Sequence, residues 1–155
     1  MSNRIMARAT PWILGLVAGA LFAGCGEDGD PEGAAALWER IHAEGYRSWE
    51  RAPGYPTLQP STAPHGGEVE IFVNPVVAGA LAGGPLPAWP EGSIIAKDGF
   101  DGGSHSIVAA MEKRADGWFW AEWDGGGELL ASGQPKVCTS CHEGGADFVR
   151  AFPLP

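Results

Sequence analysis

The chain is 155 residues long, 45% hydrophobic and 19% charged, with 24 Gly, 13 Pro, seven Trp and three Cys. That is chain enough for one ordinary domain; its apolar and aromatic content excludes a disordered chain, and three cysteines exclude a disulfide-dense scaffold. A formal net charge of -9 repels phosphate backbones and anionic headgroups, which sets aside nucleic acid and polybasic membrane docking and leaves small neutral or cationic ligands and basic protein partners.

In chain order, Arg4 and Arg8 come first, followed by an apolar run over residues 12–22 that is broken by small residues. The run is too short for a permanent bilayer span and has the layout of a secretory signal peptide. Its end, Leu21-Phe22-Ala23-Gly24-Cys25, resembles the lipobox of bacterial lipoproteins. That resemblance implies removal of residues 1–24 and a diacylglycerol on the Cys25 sulfur. Gly26 stands where an aspartate retains many lipoproteins at the inner membrane, so the expected place is the outer membrane, with the domain facing the periplasm. Several acyl chains at one point anchor stably, and the membrane is then a partner through this lipid only. Residues 25–33, acidic and Gly-rich, read as a solvated tether, and residues 34–155 as the folded domain.

Within the domain, residues 34–43 are helix formers with Leu37 and Ile41 on one stripe and Trp38 beside it, and Gly45 supplies the stop. Residues 51–67, rich in Pro and Gly, show no periodicity and read as an irregular connection. Residues 68–74 alternate, Val69, Ile71 and Val73 facing one way and Glu68, Glu70 and Phe72 the other, which predicts a half-buried strand. Asn74-Pro75 then caps a short helix over residues 76–81. Beyond a breaker at 83–92, strands are predicted at 93–97, 107–114 and 118–123, joined by a Gly-rich loop at 98–106 and by the hairpin signal Ala115-Asp116-Gly117. Connections this short make the strands an antiparallel meander. The expected class is α+β, a predominantly antiparallel sheet with a few helices and a C-terminal haem segment.

That segment is set by Cys138-Thr139-Ser140-Cys141-His142. The spacing C-x-x-C-H is the attachment sequence of c-type haem, in which two thiols add across the vinyl groups and the adjacent imidazole becomes an axial iron ligand. A thioredoxin-like dithiol would need a preceding parallel strand, and a zinc site four ligands at knuckle spacing; the predicted meander and the scattered His42, His65 and His105 offer neither. Haem c, covalently attached, is therefore the expected cofactor, with Cys138, Cys141 and His142 holding it. Electron carriers fill both axial positions whereas catalysts and gas sensors leave one open. Outside the signal peptide the sole methionine is Met111, placed in mid-strand with Ile107, Ala109 and Lys113, where packing is its ordinary role. The sixth position is thus expected to be vacant, or held by water or His.

The order of Gly45-Tyr46-Arg47-Ser48-Trp49, His65-Gly66, Ile71-Phe72-Val73-Asn74-Pro75, then Pro90-Glu91-Gly92-Ser93-Ile94-Ile95-Ala96-Lys97, then Met111-Glu112-Lys113-Arg114 with Trp118-Phe119-Trp120, closed by the haem motif, resembles the cytochrome P-460 family and its relatives the beta-type cytochromes c′. The resemblance spans residues 37–148. It implies an antiparallel sheet packed against a C-terminal haem, a homodimer as a further partner, and a five-coordinate iron with His142 proximal. It also places Lys97 at the position of a lysine that cross-links to the porphyrin in P-460 enzymes. Where hydroxylamine-oxidising members carry a distal carboxylate, this chain has Ala109; Glu112 falls on the opposite strand face. Ile107, Ala109 and Phe100, with Met111 nearby, are then expected to form an apolar distal wall suited to an uncharged diatomic. His105 is expected in an exposed loop. Three functions stay open: a hydroxylamine or nitric oxide oxidoreductase passing electrons to a soluble carrier, a nitric oxide binding protein without turnover, and a plain electron-transfer cytochrome.

Overall fold

A computed structural model describes residues 29–155; the signal peptide, Cys25 and the start of the tether lie outside the described residues. The first helix, α1 (Pro31–Ala43), begins three residues before its predicted start. The Asp30 carboxylate accepts the Gly33 N–H at 2.8 Å, and Pro31 occupies the first helical turn, where its missing N–H costs nothing. The helix therefore takes in the last residues of the stretch read as a tether. Its buried stripe is Ala34, Leu37 and Ile41. Gly45, with φ 63, turns the chain into a 3-10 turn at Tyr46–Ser48.

The sheet is antiparallel throughout. Its strands are β1 (Glu50–Arg51), β2 (Gln59–Pro60), β3 (Glu68–Val73), β4 (Ile94–Asp101), β5 (Ser104–Arg114), β6 (Gly117–Asp124) and β7 (Leu129–Gly133). They lie in the order β1-β3-β4-β5-β6-β7, with β2 also paired to β3. The predicted meander holds, with corrections. The loop expected at 98–106 is only the turn at Gly102 and Gly103, whose φ values of 57 and 82 are those of a two-residue hairpin that lets the flanking strands run on. Three strands are additional to the prediction: β7, after a Gly-rich turn, and the two-residue β1 and β2, which pair with β3 at and within the stretch read as an irregular connection. Between β3 and β4, the helix α2 (Pro75–Leu81) is capped as predicted, Asn74 Oδ1 accepting the Val77 N–H at 3.1 Å.

Both faces of the sheet are covered. On one, α1 lays Leu37 and Ile41 against Phe72, Ala96, Val108, Phe119 and Trp123. On the other, Val69, Ile71, Ile95, Met111, Trp118 and Trp120 pack with Trp89, Val149 and Phe152. Hence Val69, Ile71 and Val73 do share a face, but Phe72 on the other is also buried, because α1 covers it. The last helix, α3 (Lys136–His142), carries the Cys-x-x-Cys-His segment.

Candidate functional site

Between α3 and the sheet face opposite α1 lies a cavity of about 640 Å³. Lys97 of β4, Ala109 and Met111 of β5, and Trp120 and Glu122 of β6 line it from the sheet; Cys138, Cys141 and His142 line it from α3, and His65 from the segment before β3. Strand register explains the convergence. Lys97 pairs with Ala109 and Ala109 with Glu122, so three residues in a row across β4, β5 and β6 present their side chains to one face.

His65 joins the ends of that row. Its Nε2 lies 2.7 Å from Glu122 Oε1, and its Nδ1 lies 3.2 Å from Lys97 Nζ. The hydrogen bond from His65 holds the Glu122 carboxyl below its ordinary value, with burial opposing. An ionised carboxylate only accepts, so Nε2 carries the proton and Nδ1 accepts from Lys97. Burial pulls the Lys97 ammonium below its ordinary value, Glu122 and Cys141 opposing. The backbone beneath is shaped to admit His65: a Cβ at Gly99 would lie 1.9 Å from the His65 carbonyl oxygen, so only glycine allows this segment to cross the strand so closely.

On α3 the two cysteines stand three residues apart, one turn of helix, with His142 next in chain. His142 Nδ1 is 2.8 Å from the Phe148 carbonyl. A carbonyl accepts, so Nδ1 holds the proton and Nε2 keeps its lone pair, the arrangement of a metal-binding imidazole fixed by its other nitrogen. Burial lowers the pKa of His142, although the carbonyl bond opposes it. Burial, then the charge of Glu122, pushes the Cys138 thiol up to about 11. That is the reverse of the lowered thiol a redox dithiol needs. Among the described residues, no three His, Cys, Asp or Glu gather as a metal cage.

Two expected members of the wall do not line the cavity. The segment at His65 and Gly66 lies on the Gly99 and Phe100 backbone and occupies that end of the sheet. Phe100, shifted by the bulge between Gly99 and Phe100, instead packs edge-on against His105, ring centres 5.4 Å apart. Ile107 sits beside Gly99, its Cγ2 2.6 Å from where a Cβ there would stand. His105 is not a free loop residue: it lies in β5 and its Nε2 is 3.1 Å from Asp98 Oδ1. Glu112 does fall on the far face, paired with Arg40 and Arg114. The wall is not apolar, because Glu122 supplies a carboxylate beside Ala109. Period-two alternation from Trp118 through Trp120 reaches Glu122 on the same face, the signal by which it could have been found.

No known family model and no curated protein matches the chain. Its chemistry therefore rests on its own residues: two thiols and an imidazole on one helical turn, facing a lysine, a histidine and a carboxylate across a cavity with an apolar remainder. Trp120 Nε1, buried among these groups, has no hydrogen-bond partner among the described residues.

Proposed function

We propose that the chain is a mono-haem c-type cytochrome of the P-460 type, exported and lipid-anchored through Cys25, that oxidises hydroxylamine or processes nitric oxide and passes electrons to a soluble carrier. The observation that carries this reading is the convergence of Cys138, Cys141 and His142 with Lys97, His65 and Glu122 around one cavity. The donor set fits the group: two thiols at thioether spacing, an imidazole whose Nε2 is left to ligate, a cavity within the range of a cofactor site, and an apolar floor of Ile71, Ile95 and Ala109. When bound, the haem supplies an iron for a small nitrogen oxide and a store for electrons.

The residues divide the remaining work. His142 would ligate from α3, and the cysteines would tether. Lys97, its ammonium disfavoured by burial, is a candidate for a neutral amine able to bond to the porphyrin edge. Glu122, ionised and hydrogen-bonded to His65, can accept a proton from a substrate N–H or O–H brought into the cavity. A carboxylate here favours oxidation over mere binding of nitric oxide, since hydroxylamine must lose protons as it loses electrons.

Expression with haem-maturation machinery tests the reading. Expected are haem that resists extraction, a high-spin spectrum that changes on adding nitric oxide, and a ferrous Soret band displaced far to the red if Lys97 is bonded to the porphyrin. A normal five-coordinate c-haem spectrum without hydroxylamine turnover would leave the binding protein, and a sharp low-spin spectrum indifferent to nitric oxide would leave the carrier. A purified chain without haem overturns all three. Glu122→Gln is expected to lower hydroxylamine turnover by about 10²–10⁴, the usual weight of a positioned acid-base group.

A further inference from the structure

The carbonyl that fixes His142 belongs to an unusual turn. Val149 N–H donates to the Ala146 carbonyl at 3.2 Å, and the two residues between, Asp147 and Phe148, have φ values of 47 and 64. Two successive residues in the left-handed region form a turn that favours Gly, Asn and Asp. Asp147 suits it; Phe148 does not, and a bulky residue there is strained. Something must hold the turn.

Trp89 Nε1 donates to the Ala146 carbonyl at 3.3 Å and the Phe148 ring packs edge-on against Trp120, but most of the polar contacts that hold the turn converge on Asp147. Lys113 Nζ of β5 donates to both carboxylate oxygens, at 2.9 and 3.0 Å, and the two side chains are only 19% and 14% exposed. Trp89 N–H donates to Asp147 Oδ2 at 2.8 Å, and Trp118 Nε1 of β6 donates to the Asp147 carbonyl at 2.8 Å. The next carbonyl in the chain, that of Phe148, receives the His142 Nδ1–H.

We propose that Lys113 and Asp147 are positioning residues for His142: their ion pair locks the turn at 146–149 so that the Phe148 carbonyl keeps the imidazole in its Nδ1-protonated form, with Nε2 as the donor nitrogen. Where it concerns iron, the inference rests on the haem reading above; where it concerns the imidazole itself, it does not. A carbonyl accepting the Nδ1 proton makes the ring a stronger donor through Nε2. Loosening the turn weakens that donation, which stabilises the ferric state less.

The test is a set of variants in the full haem-loaded protein. Asp147→Asn removes the charge but keeps a residue that tolerates this turn, and Lys113→Met removes the cation but keeps the stem. Both are expected to shift the reduction potential upward and the ferrous iron–histidine stretching frequency downward. Lys113→Arg is expected to restore both parent values. Trp118→Phe, which removes the donor to the Asp147 carbonyl and shortens the ring that lies over Lys113 Nζ but keeps the ion pair, is expected to give shifts of the same sign in smaller size and decides the matter if the ion-pair variants do not fold. Unchanged potential and stretching frequency in the folded variants overturn the proposal. If the purified protein carries no haem, the functional reading falls separately, and imidazole ¹⁵N shifts judge the clamp: a single Nδ1-protonated His142 in the parent and a tautomer mixture in Asp147→Asn support it, and equal populations in both overturn it.

Discussion

Asp98 offers the sharpest test of how the fold is held. Its side chain is 1% exposed, and it accepts hydrogen bonds from the Tyr46 hydroxyl at 2.7 Å, from two nitrogens of Arg47, and from His105 Nε2 at 3.1 Å. Burial is the largest single influence on this carboxyl and pushes it upward, but the bonds from Arg47 and Tyr46 together outweigh it and hold it below its ordinary value. Replacing Asp98 by Ala leaves the Tyr46 hydroxyl, in a residue 2% exposed, with no acceptor, at about 1–3 kcal/mol. Breaking a buried ion pair costs about 3–5 kcal/mol; the Arg47 side chain is 54% exposed and regains water, so the low end applies. The total expected is about 4–6 kcal/mol, a fall in melting temperature of roughly 15 °C for a domain of this size. Tyr46→Phe alone should cost about 1.5–2 kcal/mol, as for a bond to a charged group, and the double variant little more than Asp98→Ala. Urea denaturation at pH 7 and in acid measures all of these. Because the folded value lies below the unfolded one, near 3.9, Asp98 contributes fully above about pH 5 and loses its contribution as pH falls through the folded value. The deficit of Asp98→Ala must therefore shrink in acid. Costs for Asp98→Ala and Tyr46→Phe that simply add, or a deficit as large at pH 3 as at pH 7, would refute this reasoning.

Lys97→Met is expected to gain stability, by about 1 kcal/mol at neutral pH, because a buried ammonium is replaced by an apolar chain of similar length. In the parent the folded Lys97 value is the lowered one, so stability rises with pH between the folded and unfolded values, and Lys97→Met should lose that rise in urea titrations. Gly99→Ala forces a Cβ against the His65 backbone oxygen; it should cost about 1–3 kcal/mol in thermal melts and shift the His65 ring signals as the bond to Glu122 loosens. For the chain made without cofactor, His142, lowered mainly by burial, binds its proton more readily when unfolded. Stability should fall as pH drops below about 6.5, and His142→Gln should flatten that limb in melts compared at pH 7 and 5.5.

Much of the architecture was legible because local signals and tertiary packing agree. Asn74-Pro75 announced a capped helix, and the alternation through Val69, Ile71 and Val73 gave a true face. Elsewhere tertiary contacts decide. The helix α1 covers Phe72, so alternation of polar and apolar residues could not reveal a sheet buried on both sides. Gly102 and Gly103 fit a two-residue turn as well as a long loop tip, and only pairing of Asp101 with Ser104 settles the choice. Leu129 and Leu130 carry no strand pattern of their own, being 38% and 58% exposed at the sheet edge. At the site, the C-x-x-C-H motif was explicit, whereas the partnership of Lys97, His65 and Glu122 is long-range. One residue lies on β4, one before β3 and one on β6, and no spacing along the chain encodes their meeting. Phe100 and Ile107 failed as wall residues because a bulge and a crossing segment at Gly99 interrupt the period that predicted them.

The two-sided burial of the sheet has a consequence for how freely this chain can change. The face under α1 is apolar and aromatic, tied by Asp98, Glu112 and their arginines, and asks nothing of the cavity opposite. Substitutions at Lys97, Ala109 or Glu122 thus alter the cavity while that anchored layer stands. The same backbone can be given new chemistry one side chain at a time, with the α1 layer as its keel.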